Sequence, residues 1–201
     1  MGIDPASPPP STAVSSVAEE VRRHVGSIAL VPADGLSYWL PGLSVPAGWT
    51  IMPTLPGEAP VTRMALCRMT PEQTAWEGCE VIALYQFAGS VPEEVVRDSA
   101  DRTLRDLDAR DILRDTDTLP PIPGATAVRS SGSFVLGGRW VWGQFANYVI
   151  NTGVVGGLVE HSVLVRAPWR ARLARGIGEL TESVYQSLVA SIVAGQRGSN
   201  L

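Results

Sequence analysis

The sequence predicts an α+β domain, an antiparallel β-sheet (meander) with helices packed on its faces, and three observations predict it. Two long strand-like runs, 126–136 and 139–150, flank Gly137-Gly138, a two-residue link suited to a primed hairpin turn. A third run, 158–165, follows Asn151-Thr152-Gly153 and Gly156-Gly157, and the link is too short for a parallel crossover. Two stretches, 91–108 and 169–193, space their apolar residues by three and four and so supply helices to cover the sheet.

In chain order, residues 1–12 carry Pro5, Pro8, Pro9 and Pro10 among Ser and Ala and read as a flexible arm. A single α+β domain is expected over 13–195, with a flexible tail over 196–201. A first helix is expected where Ser16 and Glu19 have capping-box spacing and Val14, Val17, Val21, Val25 and Ile28 recur at three and four. The Pro/Gly-punctuated stretch from Leu36 to Trp49 reads as short edge strands and turns. Val61–Arg68 and Glu80–Phe87 read as strands, the second apolar on both faces and therefore buried on both. Ser90, Pro92 and Glu93 then open the 91–108 helix, whose outer face pairs Asp98 with Arg102, Asp101 with Arg105 and Asp106 with Arg110. Ile112–Leu119 reads as a strand leading into the hairpin. Pro168 opens the final helix, with Leu173, Ile177, Leu180, Val184, Leu188 and Ile192 as its stripe and Gly195 as its expected end.

Composition excludes several function classes. The chain has 201 residues, 45% hydrophobic and 18% charged, enough apolar surface for a folded core. All 16 basic residues are arginine, so Schiff-base, P-loop and Ser-Lys chemistry have no lysine to use. A net charge of -4 is the wrong sign for a general nucleic-acid binder. No apolar stretch approaches the roughly 20 residues that a transmembrane helix needs. Residues 1–26 lack a signal peptide's basic start, apolar stretch and small-residue cleavage site. An exported, envelope location is expected if a leader has been removed, and a cytoplasmic one if Met1 is native.

The chemistry-bearing residues are few. Cys67 and Cys79 end one predicted strand and begin the next, and a hairpin bringing them together would allow a disulfide, expected to add about 2–4 kcal/mol. No metal cage or cofactor motif is present: there is no CxxC, and the glycines at 137, 138, 153, 156 and 157 form no Gly-x-Gly-x-x-Gly. Glu160-His161-Ser162 lie on one strand, where alternation turns His161 away from both neighbours, so they form no local triad. The Asp98–Asp117 run has arginines between its acids and reads as a solvated face rather than a calcium loop.

Two features point to binding. Trp140, Trp142 and Tyr148 share one alternation parity, either as core beneath a helix or as the lining of a ligand groove. Arg170, Arg172 and Arg175, with Trp169 beside them and Arg166 just before, gather cations at the start of the last helix, where those in its first turns oppose the helix dipole. Either nearby carboxylates or an anionic partner must answer that charge.

The ordered series of Ser44-Val45-Pro46-Ala47-Gly48-Trp49, the strand and capped helix over 81–107, the Gly137-Gly138 hairpin and the C-terminal helix over 169–193 resembles the Mog1/PsbP-like fold. Within that fold it is similar to the LpqN/LpqT-like lipoproteins and related secreted proteins of mycobacteria. The resemblance implies no shared enzymatic activity and a binding or scaffolding role in the actinobacterial cell envelope, although the lipidated N-terminal cysteine of those lipoproteins has no counterpart here. The expected function is a non-catalytic binding or interaction module that uses no cofactor. Its partner would be a protein or a small anionic or envelope ligand. The alternatives are a hydrolase whose site assembles from distant polar residues, and an intracellular interaction protein.

Overall fold

The computed structural model describes residues 15–53, 61–67, 76–115 and 124–198. The predicted arm over 1–12 and Val14 lie outside them, as do residues 68 and 116–119 of two predicted strands. The elements run α1 (Val17–Arg22), β1 (Ser27–Leu30), α2 (Leu36–Trp39), β2 (Trp49–Met52), β3 (Arg63–Cys67), β4 (Gly78–Ala88), α3 (Glu93–Ser99), α4 (Arg102–Asp106), β5 (Arg110–Asp115), β6 (Ala125–Leu136), β7 (Arg139–Asn151), β8 (Val155–Arg166) and α5 (Arg170–Gly198). The eight strands among the described residues join one antiparallel sheet in the order β2-β3-β4-β8-β7-β6-β5, with β1 also on β4. The expected α+β class and the β6-β7-β8 meander are both present.

Gly137 and Gly138 adopt φ of 56° and 74°, the left-handed conformation that a two-residue primed turn requires of both central residues. The first helix is shorter than expected. Ser16 caps it through a hydrogen bond from the Glu19 amide, but it ends at Arg22, and Ile28 belongs to β1. The cause is β4, which is longer than its neighbour: β3 covers Gly78–Ile82, and β1 pairs with the stretch from Tyr85 to Ala88 along that edge. The 91–108 helix is broken in two. The buried Ser130 hydroxyl donates to the Ala100 carbonyl at 2.6 Å, drawing the end of α3 onto the sheet and restarting the chain as α4. The last helix runs past Gly195 to Gly198.

Helices cover both faces. On one, Leu173, Ile177, Leu180, Val184 and Leu188 of α5 pack on Ala65, Ile82, Leu84, Tyr148, Val159 and Val163. Each fully buried aliphatic side chain there contributes roughly 1.5–3 kcal/mol. Trp49 is held between β4 and α5, since a Cβ on Gly78 would lie 2.7 Å from its ring and one on Gly176 3.0 Å from its Nε1. The opposite face takes Val17, Ala18 and Val21 of α1, Val96 of α3 and Leu104 of α4.

Candidate functional site

The β6–β7 turn, the end of β8 and the start of α5 meet at one end of the sheet. β7 pairs with β8 as far as Val141 opposite Arg166, and β5 reaches β6 at Ser133. Among the described residues, the last two pairs of the hairpin, Val135 with Trp140 and Leu136 with Arg139, have no strand on either side and form a tip that extends past the paired parts of β5 and β8.

Aromatic rings and guanidiniums alternate around this end. Arg170 lies 4.5 Å from the centroid of the Trp142 ring, Arg172 4.4 Å from that of Trp169, and Arg110 5.2 Å from that of Trp140. Such cation–π contacts hold the side chains by the ring face and leave the in-plane N–H donors able to bond elsewhere. A cleft of about 270 Å³ opens beside them, lined by Trp76, Leu136, Arg139, Val141 and Arg166.

The predicted site residues divide into four groups. Trp140 is half exposed at the tip, and Trp142 is buried against Trp49 and Leu173 with one face under Arg170. Tyr148 shares their parity but lies beneath Val184 and Leu188 of α5, with burial pushing its phenol up to about 12. It is a core residue and does not belong to a groove. Arg172 pairs with the buried Glu77 and Arg175 with Glu179 at 2.7 Å, so these two are answered internally. Arg166 and Arg170 have no carboxylate partner among the described residues, nor do Arg139, which sequence reasoning had not included, and Arg110, which does not make the expected pair with Asp106.

The cysteine expectation is corrected. The two strands do form an antiparallel pair, but Cys67 stands opposite Gly78 and Cys79 opposite Leu66. That offset of one residue turns the side chains to opposite faces of the sheet, and both are free thiols. Burial, with the charge of Glu77 nearby, pushes the Cys67 thiol up; burial and neighbouring Glu80 push Cys79 up to about 11. Neither is poised as a thiolate nucleophile.

A polar cluster that sequence reasoning missed lies beneath α5. Arg63 donates to Glu80 at 2.6 Å, and His161 Nε2 stands 3.1 Å from the other Glu80 oxygen. Glu80 and His161 are fully buried and Arg63 nearly so, which seals the cluster from substrate. Its sequence signal was a charged or imidazole side chain in phase with inward apolar neighbours on three strands: Arg63 with Ala65, Glu80 with Ile82, and His161 with Val159 and Val163. Two larger clefts lie elsewhere. One, of about 790 Å³ between the Pro41–Pro46 loop and α5, includes Arg175, Glu179 and Ser183 in its lining. The other, of about 670 Å³ between α1 and α3, has Arg23 and Arg102 both on Glu20. No group of three metal-ligating side chains and no helix long and apolar enough to cross a membrane occurs among the described residues.

Neither a family model nor a curated relative matches the sequence. A solved structure does: that of LpqN, described as involved in cell envelope biogenesis of Mycobacterium tuberculosis, is similar to this chain with a TM-score of 0.59 at 16% identity, over 87% of this chain and 96% of that one. By that likeness the chain has an LpqN-like α+β fold.

Proposed function

We propose that this protein is a non-catalytic binding module of the actinobacterial cell envelope, of the Mog1/PsbP-like kind, and that its binding surface is the tryptophan and arginine edge around Trp140, Arg166 and Arg170. The observation that carries this reading is the set of guanidiniums held against aromatic rings without carboxylate partners among the described residues. Cations at a helix start oppose its dipole, and a structural role would have matched them to acids, as it has for Arg172 and Arg175. The likeness to LpqN supports the envelope setting. A non-catalytic role is supported by the chemistry of the interior: the Arg63, Glu80 and His161 cluster is closed off, and the thiols are held protonated.

Affinity capture from separated envelope and cytosol fractions of an actinobacterium tests it. Specific capture should come from the envelope fraction and weaken with salt. The Arg166→Gln/Arg170→Gln variant should lose it while melting at the wild-type temperature. Capture from the cytosol alone, or full retention by that variant, would count against the reading.

A further inference from the structure

The hairpin tip poses a physical question that the arginines alone do not answer. Val135, Leu136 and Trp140 are 52%, 42% and 46% exposed, although they flank a turn where polar residues would cost nothing. Alternation sends Val135 and Trp140 to one face of the hairpin and Leu136 to the other, beside Arg139. The finger is therefore apolar on both sides and ringed by Arg110, Arg139, Arg166 and Arg170, on a chain whose net charge is -4.

We propose that this finger docks on an anionic lipid bilayer, with Val135, Leu136 and Trp140 at the hydrocarbon boundary and Arg139, Arg166 and Arg170 on lipid phosphates. The proposal rests on the reading of this edge as the binding surface and names its occupant. A folded partner surface would cover one side of a protruding two-pair tip and leave the other side's apolar groups in water, whereas a fluid interface surrounds both. Charge selects the lipid: arginines near an anionic leaflet each strengthen partitioning roughly fivefold. The cleft between Arg139 and Arg166 has an apolar floor in Leu136 and Val141, which suits a phosphate carried on an acyl body. Trp140, with Arg110 over its ring, presents the amphipathic tip that settles at headgroup depth.

Flotation of the full chain with vesicles tests this. Mixed phosphatidylglycerol and phosphatidylcholine vesicles should carry the protein at low ionic strength and release it at high ionic strength, and pure phosphatidylcholine vesicles should not bind it. Arg139→Gln/Arg166→Gln should weaken binding roughly 25-fold, two arginines at the fivefold each contributes. Val135→Ser/Leu136→Ser, with all arginines intact, should also lose binding while keeping the wild-type circular dichroism melt. Equal binding to both vesicle types, binding to neither, or anionic binding that both variants retain would overturn it. If vesicles fail while envelope proteins freed of lipid are still captured in an Arg166- and Arg170-dependent way, the lipid proposal falls and the binding-module reading stands; if that capture also fails, both fall.

Discussion

Arg172 reaches from the first turn of α5 to Oε2 of the buried Glu77 carboxylate, whose Oε1 has no partner among the described residues and whose backbone is tied to both Cys67 and Arg166. One guanidinium thus serves the fold while Arg170, two residues earlier, faces solvent over Trp142. Arg172→Gln should lower stability by about 1–3 kcal/mol, because it leaves a buried charge without its donor. Arg175→Gln, which breaks only an exposed i,i+4 pair, should change stability by less than about 0.5 kcal/mol. Urea denaturation of the two single variants checks both, and similar midpoints would show that Glu77 does not depend on Arg172.

The sealed cluster beneath α5 carries a larger penalty. Glu80→Ala should cost about 3–5 kcal/mol, since Arg63 would remain buried with its charge unanswered. Replacing Arg63 and Glu80 together by apolar residues of similar volume should recover most of that loss. A double variant no more stable than Glu80→Ala alone would contradict this, and the comparison requires only equilibrium unfolding.

Glu160 gives the protein a pH dependence whose sign is fixed by its surroundings. Burial raises its carboxyl from 4.5 to about 7, partly offset by the amides of Ala18 and Val17, with Glu19 adding to the rise. The folded state therefore favours the protonated acid. Its stabilising effect is complete below the unfolded value and is lost as pH rises through about 7. Stability should fall by up to about 3 kcal/mol between pH 4.5 and 7 from this group. Glu160→Gln can still accept the Ala18 amide, which the acid takes at 2.8 Å, and should remove that slope. Parallel pH profiles for wild type and variant would show the group to be silent.

Both thiols should survive in air. The intact mass should be that of the reduced chain, and a thiol reagent at mild pH should react slowly with the native protein and with two groups per chain once it is unfolded. A mass two hydrogens lower would require β3 and β4 to pair in another register.

Periodicity made much of the sheet legible. The Gly137-Gly138 turn, the alternation through β7 and the Leu173 to Leu188 stripe are local patterns, and each appears where residue spacing put it. Errors arose where a distant partner decided. The first helix gave up Ile28 to the exposed edge of β4, and Ser130 broke the second helix at Ala100. The disulfide expectation failed on a register offset of one residue, which the sequence on either side of residues 68–75 does not encode. At the candidate site the arginine cluster was visible, but its division into paired and unpaired members was not. Glu77 lies far from Arg172 in sequence, and Arg139 joins Arg166 only through the meander.

The most direct test of the binding edge is an amide hydrogen-exchange footprint of the full chain with and without the envelope fraction that captures it. Protection should rise over 135–141 and 166–172, where the tip and the start of α5 meet. Protection confined to the Pro41–Pro46 loop and the facing turns of α5, or none anywhere, would contradict the placement of the binding surface.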